Sequence, residues 1–276
     1  MPCYDLHCHS TCSDGRLAPH EVVARAASRG VDVLALTDHD ELAGLEDANA
    51  AAHEHGIQLV NGVEISVSWE GHTIHLVGLG IDAGCATLAD GLAGIRAGRS
   101  DRARRMADAL AECGIGGVYE GARKYVGERG LMSRTHVARF LVETGHARDV
   151  KSVFNRFLTP GKPGYVAHRW ASLPDAVTWI HAAGGQAVLA HPARYAFARS
   201  TLRRLLSEFR DLRGDAIEVM SGTHTGAEAA EFASLARVYG LLASTGSDFH
   251  APDESAVELG GLPPLPLGTM PVWQRW

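Results

Sequence analysis

The chain has 276 residues, 46% of them hydrophobic and 21% charged, a globular balance that excludes a disordered chain, a collagen-like repeat and a disulfide-stapled miniprotein. At roughly 150 residues per domain, the length admits one large α/β domain or one domain carrying an insertion. The net charge of −6 divides unevenly: Arg99 to His168 carries 13 Lys and Arg against 7 Asp and Glu, and the remainder carries 13 against 25.

Short aliphatic runs, first Cys3–His7 and then Val31–Thr37, alternate with Ala-rich stretches, as in βα units around a parallel sheet. Pro19 opens the intervening helix and Gly30 closes it, and the helix over Glu41–His55 ends at Gly56. Strands follow at Gln58–Ile65 and Thr73–Leu79. From Arg99 to His168 there is no strand signal, and helices at Asp101–Cys113, Arg134–Thr144 and Asp149–Leu158 are closed by Gly114, Gly145 and Pro160-Gly161. Strands resume at Gln186–Ala190, Ala216–Met220 and Leu242–Ser247, with a helix over Gly226–Tyr239 that ends at Gly240. The Pro-rich tail Gly260–Trp276 supports no regular element and reads as a packed strap. These elements predict an α/β fold, a seven-stranded TIM-like barrel built from residues 1–98 and 169–276, with 99–168 as a basic helical insertion capping it.

Cys3, Cys8, Cys12, Cys85 and Cys113 are odd in number and form no CxxC pair, which suits a reducing compartment. Asp5 and His7 come too early for a signal peptide, and no apolar run approaches the length of a membrane span. The expectation is a soluble, cytoplasmic protein. An acidic, His-rich body suggests bound cations. The basic insert, which holds all three lysines, Lys124, Lys151 and Lys162, suggests an anionic ligand.

Six of the seven strands deliver His, Asp or Glu at or near the carboxyl end. His7 and His9 share one face of an extended segment because side chains alternate with a period of two, and Asp14 follows in Ser13-Asp14-Gly15. The next strand delivers His39 within Thr37-Asp38-His39-Asp40. Glu64 and His75 sit in apolar runs, where a charge or imidazole costs several kcal/mol unless paired or metal-bound. His191 precedes Pro192, and Asp248 and His250 again stand two apart. In a parallel barrel these ends form one rim, the usual location of an active site. Nine N and O ligands are too many for one ion and suit two or three divalent cations. Mn²⁺ is the first expectation, with Zn²⁺ or Fe²⁺ as alternatives.

These pieces together, DLHCHS and SDG at Asp5–Ser10 and Ser13–Gly15, LTDHD at Leu36–Asp40, GVE at Gly62–Glu64, HLVG at His75–Gly78, AHP at Ala190–Pro192 and GSDFH at Gly246–His250, resemble the polymerase-and-histidinol-phosphatase (PHP) superfamily of metal-dependent phosphoesterases. The resemblance spans the barrel in the family's order and implies a distorted (β/α)7 barrel. It implies one metal on His7, His9, Glu64 and Asp248, a second sharing Glu64 with His75 and His191, and a third on Asp14, His39 and His250. The insert, with Ser133-Arg134-Thr135-His136, resembles the branch containing nucleoside 3′,5′-bisphosphate phosphatases and 5′-to-3′ exoribonucleases.

Phosphate esters resist attack because the phosphorus is ringed by negative oxygen, so the reaction needs positive charge and an activated water, which a metal cluster supplies. His39, Glu64 and Asp248 are the expected catalytic residues, and Ser133, Arg134 and His136 the expected substrate-binding ones. The expected partner is a small anionic nucleotide losing its 3′-phosphate, with short 5′-phosphorylated RNA and histidinol phosphate as alternatives. A basic excess confined to about 70 residues lacks the broad track of a long-nucleic-acid binder, and no membrane partner is expected. Amidohydrolases are the rival class, but many bridge two metals through a carboxylated strand-end lysine. No lysine lies outside the insert here.

Overall fold

All seven strands form, and six of them run parallel. In the computed structural model, which describes residues 2–127 and 131–276, the order along the chain is β1 (Tyr4–Cys8), α1 (Pro19–Ser28), β2 (Val33–Leu36), α2 (Leu45–His55), β3 (Gln58–Trp69), β4 (His72–Leu79) and α3 (Ala86–Glu112). There follow α4 (Val118–Arg123), α5 (Arg134–Glu143), α6 (Val150–Val153), the two-residue β5 (Ala171–Ser172), α7 (Leu173–Ala182), β6 (Gln186–Leu189), α8 (Arg199–Asp211), β7 (Ala216–Ser221), α9 (Gly226–Tyr239) and β8 (Leu242–Gly246). The sheet order is β1-β2-β3-β4-β6-β7-β8, with β5 added to β3. Its two edges meet where Cys8 bridges Phe249, with His9 N donating to Phe249 O at 2.9 Å and Asp248 N to His7 O at 2.8 Å. The result is a distorted seven-stranded barrel.

The expectation of a uniformly parallel sheet is corrected at β4, which is antiparallel to both β3 and β6. The turn Glu70-Gly71 is too short for the crossover that a parallel strand requires, and Glu70 (φ 44°) and Gly71 (φ 79°) make it as a tight hairpin. His75 is therefore not at a carboxyl end. It lies in the first half of an antiparallel strand, opposite Ser66, and reaches the same rim because the strand runs the other way. Likewise β3 does not stop at Ile65 but continues to Trp69, so Glu64 lies inside a strand.

Two further differences concern the helices. The first insertion helix does not begin at Asp101: α3 starts at Ala86 and runs unbroken through residues 98 and 99. Its amino half packs Leu88, Leu92 and Ile95 in the main core, while Ala103, Met106 and Leu110 join a separate apolar cluster with residues up to Leu158. The stretch expected as Asp149–Leu158 is a four-residue turn of α-helix continued by a π-helical turn over Phe154–Leu158.

The barrel's amino end is plugged by Leu6, Val60, Val188, Leu242 and Val272. The carboxyl-terminal segment supplies that last residue. Pro271 bridges Ala243, a 3₁₀ turn covers Val272–Arg275, and Trp273 stacks on Tyr4 with centroids 3.9 Å apart, a contact worth about 0.5–1.5 kcal/mol beyond area burial. With that end closed by side chains, the opposite rim is where polar groups can converge. Two register irregularities, between Asp5 and Cys8 and between Glu218 and Met220, lie on the strands that bear His7 and Glu218, where a bulge re-aims a side chain.

Candidate metal centre

All nine residues expected as ligands come together on that rim. Glu64 is at the middle. Its Oε1 lies 2.8 Å from His75 Nδ1 and 2.9 Å from His191 Nε2, and its Oε2 lies 2.9 Å from His39 Nδ1 and 3.3 Å from Nε2 of both His7 and His9. Asp248 Oδ1 stands 3.2 Å from His9 Nε2 and 3.5 Å from His7 Nε2. Asp14 Oδ1 stands 3.3 Å from His250 Nε2 and 3.8 Å from His39 Nε2. His7, His9 and Glu64 are fully buried, and His39, His75 and His250 border the opening.

The backbone is bent to make this arrangement. His191 (φ 28°) and Asp248 (φ 56°) occupy the left-handed region that side chains avoid, at a cost of about 1–3 kcal/mol each that neighbouring structure must offset. Asp248 is anchored by its backbone bond to His7 O and by Arg194, whose Nη1 donates to Oδ2.

Three carboxylate oxygens, Asp14 Oδ1, Glu64 Oε2 and Asp248 Oδ1, are buried and accept no hydrogen bond. Each faces ring nitrogens at distances just given, so the approach is close but the geometry is not that of hydrogen bonds. Ions held by bonds of about 2.0–2.2 Å keep their ligand atoms roughly 3.3–3.5 Å apart, and the His7, His9, Glu64 and Asp248 contacts of 3.2–3.5 Å match that spacing. The residues fit divalent cations. Three sets of ligand atoms each gather within 4.8 Å: His9, Asp14, His39 and His250; His7, His9, Glu64 and Asp248; and His39, Glu64 and His75. The second is the set that the resemblance implies for one metal. The other two differ from the implied sets, with His9 joining Asp14, and His39 standing beside Glu64 and His75, while His191 shares Glu64 Oε1 with His75 and His39 approaches Oε2.

The electrostatics agree. Burial opposes ionisation of Glu64, yet His39, His75 and His7 around it hold it well below the usual carboxylate range. Asp14 is likewise held low against burial by His39 and His250, and Asp248 by Arg194 and His7. Burial also opposes a charge on His9, but Asp248 and Glu64 raise it to about 10. Burial and Arg194 push His191 down to about 4. Buried carboxylates crowded with imidazoles demand positive charge, which ions supply without desolvating a proton on each ring.

From the insert, the N-terminal turn of α5 faces Asp14. Ser133 caps the helix, its Oγ accepting from Thr135 N at 3.0 Å, and gives its own proton to Asp14 Oδ2 at 3.2 Å. Thr135 Oγ1 donates to the same oxygen at 2.8 Å. Arg134 lies over the Phe154 ring at 5.3 Å, and burial, with Arg99 and Arg194 nearby, disfavours its charge. His136 is buried, accepts from Ser133 N through Nδ1 at 3.0 Å, and leaves Nε2 without a partner.

Residues 5–147 match the PHP domain. The chain belongs to the PHP family. This PHP protein is 51% identical to a 3′,5′-nucleoside bisphosphate phosphatase of Chromobacterium violaceum, over 98% of this chain and 95% of that one. It is 43% identical to the 5′-3′ exoribonuclease Rnm of Escherichia coli over 99% and 93% of the two chains. A solved structure from C. violaceum, described as an amidohydrolase with bound sulfate and no metal, superposes with a TM-score of 0.95 at 50% identity, covering 99% of this chain and 95% of that one. As a PHP enzyme the protein is a metal-dependent phosphoesterase, a phosphoric ester hydrolase.

Sequence reasoning missed the groups behind the PHP site. Glu218 gives one oxygen to His7 Nδ1 at 2.7 Å and accepts from His191 N at 2.5 Å with the other. A lone Glu within the apolar run Ala216-Ile217-Glu218-Val219-Met220 was the available signal. Asp38 accepts from Ser10 N, Ser10 Oγ and Ser13 Oγ at 2.8, 2.6 and 2.5 Å, and so shapes the turn that carries Asp14. Arg194, Asp40 with Arg99, and Arg139 with Glu254 pair across long sequence separations and carry no local signature. No described helix is long and apolar enough to cross a membrane.

Proposed function

We propose that this enzyme removes the 3′-phosphate of nucleoside 3′,5′-bisphosphates, giving nucleoside 5′-monophosphate and phosphate. In this reading residues 1–98 and 169–276 are the catalytic barrel and 99–168 the cap that recognises the nucleotide. The observation that carries it is the convergence of three unpartnered carboxylate oxygens with six imidazoles, with Arg134 of the insert between Ser133 and Thr135, both of which donate to Asp14. The 51% identity to a bisphosphate phosphatase supports the substrate class.

His7, His9, Asp14, His39, Glu64, His75, His191, Asp248 and His250 would hold two or three divalent ions, with Mn²⁺ preferred. When bound, such ions supply an activated water and positive charge for the phosphoryl oxygens. Glu64 offers one oxygen to each side of the cluster, and Asp248 is aimed by Arg194. His39 borders the opening and is the ring we assign to the leaving oxygen. Arg134 can grip a terminal 5′-phosphate in bidentate fashion at a helix start that already favours anions, with Ser133 and His136 beside it.

The second reading is release of a first nucleotide from short 5′-phosphorylated RNA, favoured by the 43% identity to an exoribonuclease. Incubation with Mn²⁺ and each of a 3′,5′-bisphosphonucleotide, a 5′-phosphorylated tetranucleotide and histidinol phosphate separates the readings. Inorganic phosphate from the first at the highest kcat/KM is the expected result. Preferential release of mononucleotide from the tetranucleotide would favour the second reading.

A further inference from the structure

The insert bonds Asp14 directly and holds residues close in sequence to His39 and His250. Asp14 receives the two hydroxyls of Ser133 and Thr135 on Oδ2, and Arg139 Nη2 donates to its carbonyl oxygen at 2.8 Å. The same guanidinium grips Glu254, through Nε at 2.9 Å and Nη2 at 2.7 Å, four residues beyond His250. Next to His39, Asp40 holds a left-handed backbone (φ 52°) and is paired with Arg99 of α3, whose Nε lies 3.1 Å from Oδ2. Arg96 of the same helix, on the barrel side of the insert, donates to the carbonyl of Asp40 at 3.0 Å.

The remaining ligands are supported differently. His7 and His191 rest on Glu218, Asp248 on Arg194, and Glu64 on rings from the barrel. Among the described residues Asp14 is the one expected ligand that is hydrogen-bonded to the segment 99–168.

We infer that the insert builds one of the cation sites. The Asp14, His39, His250 and His9 set takes its ion only with the first turn of α5 seated on Asp14, whereas the His7, His9, Glu64 and Asp248 set is complete in the barrel alone. This rests on the metal reading above. With both donors on Oδ2, Asp14 is fixed with Oδ1 toward His250 and His39. Without them the carboxylate is free to turn, and a buried oxygen loses its partners. Thr135 and Ser133 are thus positioning residues. Because Arg134 lies between them, an anion on Arg134 and an ion at Asp14 stabilise the same helical turn, and each raises the other's affinity by the same factor.

The test is Mn²⁺ binding by equilibrium dialysis to the wild type, Thr135→Val and Thr135→Ser, with an anomalous diffraction map at the manganese edge to locate each ion. Thr135→Val should weaken one equivalent about 10–100-fold, as removal of a group behind a ligand does, and that ion should vanish from between Asp14, His39 and His250. The equivalent at His7, His9, Glu64 and Asp248 should persist and report a folded barrel. Thr135→Ser, which keeps the hydroxyl, should restore the lost one. Adenosine 5′-monophosphate should tighten that equivalent in the wild type and not in Arg134→Ala. Equal weakening of every equivalent, no weakening of any, or no tightening by the nucleotide overturns the inference. A wild type with no saturable Mn²⁺ binding instead removes the metal reading on which it rests.

Discussion

Glu218 stands directly behind His7, its Oε1 2.7 Å from Nδ1. The contact puts the ring proton on Nδ1 and turns Nε2 toward Glu64 and Asp248, 3.3 and 3.5 Å away. Burial opposes a charge on His7, but Glu218, Glu64 and Asp248 together hold its pKa well above the usual value, so an entering ion must displace a proton there. Glu218→Gln keeps the volume, lets an amide replace the anion and frees the choice of tautomer. Mn²⁺ affinity measured by titration should fall about 10–100-fold, and unchanged affinity would reduce Glu218 to a core residue.

Glu64 is the one carboxylate on which His39, His75 and His191 all lie within 2.9 Å. Glu64→Gln removes an anionic oxygen while preserving size, and should abolish turnover and lower bound metal. Elemental analysis of the purified variant beside its rate gives the result, and full metal content with a near-normal rate would exclude Glu64 as a bridge.

Withdrawing the ions should also destabilise the fold. Asp14 Oδ1, Glu64 Oε2 and Asp248 Oδ1 would then be buried without partners, and a ligand present at 100 times its Kd stabilises the native state by about 2.7 kcal/mol. Chelation should therefore lower Tm together with activity, and Mn²⁺ should restore both. An apo protein that melts at the same temperature would mean that the cluster binds ions too weakly to matter.

Most of the nine rim residues were legible in the sequence because they interrupt or end an apolar, strand-forming run, and a period of two sends His7 with His9, and Asp248 with His250, to one side; Asp14, in the turn Ser13-Asp14-Gly15, was legible only through the motif it completes. Strand direction was not legible. Nothing in Thr73–Leu79 distinguishes an antiparallel strand from a parallel one, and the two-residue turn at Glu70-Gly71 was the local sign. The amino end of α3 was hidden by Gly91, Gly94 and Gly98, which lower helix propensity, although Gly91 and Gly98 here admit close neighbours. A Cβ on Gly91 would lie 2.5 Å from Trp179, and one on Gly98 2.5 Å from His168. Pairs such as Arg139 with Glu254 or Arg194 with Asp248 arise only from tertiary packing, which no single-sequence period encodes.

Arg134 has no carboxylate partner in a described ion pair. Burial and the nearby charges of Arg99 and Arg194 disfavour its own charge, so it is costly to the resting protein and suited to an incoming anion. Arg134→Ala should raise KM for substrates with a 5′-phosphate by about 1.5–3 kcal/mol, the scale of a lost charged hydrogen bond. It should leave KM for a simple phosphomonoester such as p-nitrophenyl phosphate nearly unaffected, and the substrate-free protein no less stable. Equal losses on both substrates would assign Arg134 to folding or the transition state.

The buried ring of His136 makes stability depend on pH. Burial, opposed by Asp14 and reinforced by Arg139, lowers it to about 4, against about 6.5 in an unfolded chain. Above pH 6.5 the ring is neutral in both states and contributes no pH dependence. Between pH 6.5 and about 4 the unfolded chain takes up a proton that the folded protein refuses, so stability falls as the pH falls, levelling at a loss of about 3 kcal/mol. His136→Gln removes the titrating ring and retains an acceptor for Ser133 N at the third position of the helix. Urea denaturation of the metal-free proteins at pH 7.5 and 4.5 isolates the effect, because the other titrating groups are common to both. The difference in stability, variant minus wild type, should become more favourable to the variant by about 2–3 kcal/mol on going to the lower pH. A difference that does not change with pH would mean that the ring finds a partner for its proton in the fold.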